Sequence, residues 1–75
     1  MQYELLNKIT DLIEKIDQYV NIEDRYYIRD FILNNLDDEE FESKAIKYIR
    51  NLGLDSEQFE QACEVVKNIN ELIEK

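Results

Sequence analysis

From Leu5 to Ile73 the apolar residues return at every third or fourth position, and the chain holds no proline and a single glycine, Gly53, to interrupt them. That spacing is the period of an α-helix, and strand-like alternation is absent. A chain with nothing to break its backbone must take its boundaries from capping residues instead. Those boundaries divide it into four predicted helices.

The first is predicted from about Gln2 to Val20. Leu5, Ile9, Leu12, Ile16 and Tyr19 mark one stripe, widened by Leu6, Ile13 and Val20. Glu4–Lys8 and Asp11–Lys15 stand four apart in the favourable order for ion pairs. Asn21 is a good N-cap for a second helix, with Asp24 at the N3 position, and this helix should end near Leu36. The third is expected to begin at Asp37 or Asp38 and to turn Phe41, Ala45, Tyr48, Ile49 and Leu52 inward. It should end at Leu52, with Gly53 as a left-handed C-cap. The fourth, capped by Asp55 or Ser56, should run nearly to Lys75 and bury Phe59, Ala62, Cys63, Val66, Ile69 and Ile73. Such short connections imply mostly antiparallel neighbours. The expected fold class is all-α: one domain over residues 1–75, built as a small four-helix bundle or an antiparallel helical array.

A chain of 75 residues buries only about 60% of the surface its unfolded form exposes, so its stability margin is thin. Cys63 is the only cysteine and there is no histidine, so neither an intrachain disulfide nor a zinc site is available as a staple. The same absences bear on chemistry. The commonest general base is missing, and Cys63 has no evident activator. No enzyme activity and no cofactor are expected. Cys63 itself falls on the core stripe and is expected to be buried and structural.

Eighteen acids against nine bases give a net charge of −9. That opposes direct contact with nucleic acid, which needs clustered lysine and arginine. It equally opposes anionic membrane surfaces. No run approaches the roughly 18 apolar residues of a membrane span. The start, Met1-Gln2-Tyr3-Glu4, lacks the basic and apolar regions of a secretory signal. A cytoplasmic location is expected, and the partner that the charge allows is a basic protein.

The acids are not evenly spread. Asp37-Asp38-Glu39-Glu40, with Glu42, is the densest run. No register of it supplies the glycine and glutamate of a calcium loop. It is expected to fill the first turn of helix three, where carboxylates complement the helix dipole, with Lys44, Lys47 and Arg50 towards the other end. Glu57, Glu60 and Glu64, followed by Glu71 and Glu74, mark the outer side of helix four, relieved mainly by Lys67. Residues 53–75 carry six acids and two bases. A rigid row of this kind can imitate a phosphate backbone and occupy a basic groove.

Helix two departs from a single apolar stripe. Ile22, Tyr26, Leu33 and Leu36 cluster on one side, while Tyr27, Phe31 and Ile28 fall towards the other. Such a helix is either wrapped by its own bundle or offers a face to a partner. Arg25 and Arg29 lie one turn apart on it, and arginine and aromatic residues are enriched at binding hot spots. The expectation is a homodimer or a partner contact that includes Tyr26 or Tyr27, with Arg25 or Arg29 at its rim. One of the two tyrosines is expected to pack inward and the other to face out.

The string Gly53-Leu54-Asp55-Ser56 resembles the attachment motif of acyl carrier proteins, which are also small, acidic and helical. The resemblance implies a phosphopantetheine group on Ser56. In that family the serine opens the second helix near mid-chain and is usually followed by leucine. Here Ser56 precedes the final helix and is followed by Glu57.

The function expected from these readings is a non-enzymatic protein-interaction module, an acidic inhibitor or neutraliser of a basic partner. Immunity proteins, antitoxins and phage anti-defence proteins resemble it in size, charge and helical class. The alternatives are a helical assembly or adaptor subunit acting through self-association, and an acyl-carrier-like protein modified at Ser56.

Overall fold

The structure, a computed structural model, describes residues 3–74. Within it the chain forms four helices: α1 (Tyr3–Asp17), α2 (Ile22–Asn34), α3 (Phe41–Arg50) and α4 (Ser56–Ile73). There is no strand among the described residues. The expected Gln2 start of the first helix lies outside them, and the last helix ends at Ile73, close to Lys75 as expected.

Each boundary has a local cause. α1 stops three residues short of Val20, whose side chain is nonetheless buried. α2 begins after Asn21 in extended conformation. Asn21 caps with its backbone alone, its carbonyl accepting from the N–H groups of Asp24 (2.9 Å) and Arg25 (3.2 Å), and its side chain makes no cap bond. α2 ends before Leu36 because Asn35 turns its amide back onto the Phe31 carbonyl at 2.7 Å, a bond between side chain and backbone that competes with the next helical turn.

The acidic run does not open α3 as expected. Asp37 to Glu40 precede the helix, which starts at Phe41 and keeps only Glu42 in its first turn. Asp38 is the reason. Its Oδ1 accepts the Glu40 N–H at 2.7 Å, and its carbonyl accepts the Phe41 N–H at 3.1 Å. An aspartate bonded to the backbone two residues on builds a turn of its own. Lys44 reaches back to the same carboxylate, and Lys47 and Arg50 hold the last turn of α3. α3 stops at Arg50, and a turn carries the chain to Gly53, whose φ of +76° is the left-handed conformation that favours glycine. Asp55 then caps α4 through its side chain, accepting the Gln58 N–H at 2.8 Å.

α4 is the hub. α1 packs along one side of it and α3 along the other, both antiparallel to it. Gln18 and Tyr19 at the end of α1 meet Gln58 and Gln61 near the start of α4. Glu42 at the start of α3 meets Asn70 near the end of α4, and the Arg50 guanidinium at the end of α3 lies over the Phe59 ring. α2 touches α1 and α3 more thinly and does not reach α4. The four helices thus close a ring, with α2 and α4 at opposite corners.

The core follows that arrangement. Ile9, Ile13 and Ile16 enter from α1, Ile28 and Ile32 from α2, and Phe41, Ala45 and Ile49 from α3. α4 supplies Ala62, Val65, Val66 and Ile69. Val65 was not on the expected stripe of helix four, whereas Phe59, Cys63 and Ile73 are half-buried. A helix seated between two neighbours buries a broader arc, and here that arc is turned towards Val65. Burying one such branched side chain contributes roughly 1.5–3 kcal/mol.

Candidate functional site

The surface offers two faces, and they point away from each other. The first is the outer side of α4. Glu57, Glu60 and Glu64 are all exposed there, three and four residues apart and so on one side of the helix. None of them stands in an ion pair. Among the described residues the ion pairs are Arg29–Asp17 and Lys44–Asp38. The Glu4–Lys8 and Asp11–Lys15 pairs expected on α1 are therefore not closed, in keeping with the small gain an exposed pair offers its two long side chains.

Glu60 and Glu64 flank a shallow groove between α3 and α4 whose floor is Ile46, Phe59 and Cys63. Cys63 is half-buried rather than enclosed in the core. It lies beside the arc that α4 turns inward and is among the residues that line this groove. Burial pushes the Cys63 thiol above its ordinary value, against the smaller pull of Lys67 and Arg50. Such a thiol is a poor nucleophile at neutral pH.

The second face belongs to α2. Ile22 is 79% exposed, Tyr26 72% and Leu33 37%. They recur on one outward side of the helix and form an apolar ridge. Tyr27 is 62% exposed, and its ring meets that of Tyr26 edge-on with centroids 5.6 Å apart. The expected division between an inward and an outward tyrosine is thus corrected: both face out. α2 seats only Ile28 and Ile32 against its neighbours, and positions 26 and 27 both fall on the opposite arc. The bundle does not wrap this helix. Leu36, expected with the ridge, is buried because the chain has left the helix before reaching it.

The two arginines of α2 differ. Arg29 reaches α1, its Nη2 3.2 Å from Oδ2 of Asp17, while Arg25 is exposed and forms no ion pair among the described residues. Both line a shallow hollow with Ile22 and Tyr26. On the other edge of the ridge stand Glu23 and Asp30, both exposed. Past that acidic edge, Phe31 stacks on Tyr48 of α3, with ring centroids 4.4 Å apart and planes 26° apart. Burial first, then the nearby charges of Asp24 and Asp30, hold the Tyr48 phenol above its usual range. The stack pins α2 to α3, and its partners lie 17 positions apart, beyond the reach of any local pattern.

Ser56 is the exposed first residue of α4, directly after the Asp55 cap. Among the described residues no helix is long and apolar enough to cross a membrane. No family model, curated protein or solved structure matches the chain.

Proposed function

We propose that this chain is a non-enzymatic protein-interaction module, an acidic inhibitor or neutraliser that binds a basic partner protein. The observation that carries this reading is the state of its carboxylates. The chain has 18 acids, and among the described residues only Asp17 and Asp38 are engaged by a cation. The chain's nine bases offset only half of these charges, which leaves a net acidic field around the molecule. Glu57, Glu60 and Glu64 concentrate it along α4, the helix braced on both sides, so their spacing is set before any partner arrives. Preorganised charge of one sign speeds encounter with a surface of the other sign and lowers the ordering cost of binding. The same field repels phosphate, so the target is a protein rather than a nucleic acid.

The test is affinity capture from the native cell at low salt, with the wild type and with Glu57, Glu60 and Glu64 all changed to lysine. A basic protein held by the wild type, released by added salt and lost by the variant is the expected outcome. Retention of the same protein by the charge-reversed variant would overturn the reading.

A further inference from the structure

We infer that the α2 ridge is a second, independent docking surface, and that its occupant is a cationic amphipathic helix of a partner protein. Ile22, Tyr26 and Leu33 fall on one side of the helix and leave an apolar strip against which the side chains of another helix can pack. Its edges carry opposite charge. Glu23 and Asp30 form one edge, exposed and free of ion pairs among the described residues. Arg25 and Arg29 form the other, and Arg29 is already drawn onto Asp17. The charge left uncancelled along the ridge is therefore acidic on balance, within a molecule of net charge −9. A helix that lays an apolar stripe on the ridge and sets lysine or arginine against Glu23 and Asp30 matches both features. Arg25 gives the contact direction, because an acid on the incoming helix pairs with it in only one orientation.

A second copy of this chain fits less well. Each copy brings the same net charge of −9. A twofold axis relating antiparallel α2 helices also sets acidic edge against acidic edge and arginine against arginine, which is destabilising; only a parallel pair matches opposite edges, and it too brings two net charges of −9 together. The placement of α2 and α4 at opposite corners of the ring means that one flat partner surface does not cover both faces. The ridge therefore contributes a contact separate from the glutamate row. This inference rests on the reading proposed above only in taking the partner to be basic.

The experiment uses the full chain and a defined probe: a helical peptide with leucine at three–four spacing and lysine elsewhere, compared with its glutamate counterpart. The wild type should bind the lysine peptide and not the glutamate one. Ile22→Ser with Tyr26→Ser should weaken binding at least about tenfold, with the melting transition unchanged because both side chains are exposed. Glu23→Lys with Asp30→Lys is a second probe that leaves the apolar ridge intact, and it should weaken the lysine peptide as well. Either of two results for the serine variant overturns the inference. One is unchanged peptide affinity in the serine variant. The other is a wild-type dimer in sedimentation that the serine variant converts to monomer, which assigns the ridge to a second copy. The Glu57/Glu60/Glu64→Lys variant separates the two faces. If it alone abolishes peptide binding, the probe sits on α4 and the ridge is not the site. If only the ridge variants matter, the ridge stands as a site separate from the glutamate row, whose own test is the affinity capture.

Discussion

Arg29 ties α2 to the end of α1 through Asp17, 3.2 Å from Oδ2, while Oδ1 of the same carboxylate is buried without a hydrogen-bond partner among the described residues. Asp17 is only 18% exposed at its side chain and Arg29 is 42% exposed. The pair is thus half in water and half out. Because α2 has few other contacts, this link weighs more than an ordinary surface pair. Arg29→Met should lower stability by about 1 kcal/mol, above the median for exposed pairs and below that for buried ones. In a domain of this size that is a fall of roughly 4–8 °C in melting temperature. An unchanged melting temperature would show that α2 is held by Ile28, Ile32 and the Phe31–Tyr48 stack without help from the ion pair.

The caps of α2 and α4 should respond differently to the same change. The Asp55 side chain bonds the Gln58 N–H, whereas the Asn21 side chain bonds nothing in its helix. Asp55→Ala should therefore cost about 1 kcal/mol in urea unfolding, and Asn21→Ala clearly less. Equal losses would mean that the Asp55 bond is not formed in solution.

Asp38 and Lys44 set a pH dependence with a definite sign. The Lys44 hydrogen bond, then the Glu40 N–H, holds the Asp38 carboxyl below its ordinary 3.8. A carboxyl lowered on folding stabilises above pH 3.8, and that contribution disappears as pH falls through the lowered value. The hydrogen bond to Asp38 in turn raises Lys44 above 10.5, so its contribution is complete below pH 10.5 and is lost as pH climbs through the raised value. Lys44→Met should return the Asp38 midpoint, followed by NMR, towards 3.8. The stability difference between wild type and variant at neutral pH should close at strongly acid pH. An Asp38 midpoint that does not move in the variant contradicts the pair.

Cys63 should react with a thiol reagent in the native protein more slowly than in urea, yet at a measurable rate that rises with pH. Its half-burial admits the reagent from the α3–α4 groove, and its raised pKa limits the thiolate at neutral pH. Complete protection over hours would place it in the core instead. Cys63→Ser should cost about 1 kcal/mol or less, because the site is only half-buried and the new hydroxyl keeps access to water.

The helices were legible because their signals are local. Period and the Asp55 cap each act within a few residues and the structure keeps both, whereas Gly53 keeps its left-handed φ but stands beyond Asn51, the residue that caps α3. The acidic run was misplaced by its own chemistry. Asp38 suits a helix N-terminus and a turn equally well, and only the short path into Phe41 decides between them. The faces of α2 and α4 were less legible for another reason. Which arc of a helix is buried depends on how many neighbours press on it. Val65 became core because α4 has two close neighbours, and Tyr26 and Tyr27 both stayed out because α2 has two thin ones. The contacts that settle this, Arg29 to Asp17 and Phe31 to Tyr48, join residues that no local pattern connects.

The hub position of α4 also sets an order in time. A ribosome makes α1 and α3 before the helix that both of them chiefly pack against. Until α4 emerges, the isoleucines of α1 and Phe41 of α3 have only the thin contacts of α2 to shield them. Helices of 15, 13 and 10 residues are marginal on their own in water. The nascent chain therefore gains most of its burial in one late step, once α4 has cleared the ribosome, rather than helix by helix. A ribosome stalled near Gly53 would present an open, protease-sensitive chain, and one stalled well beyond residue 75 a closed one.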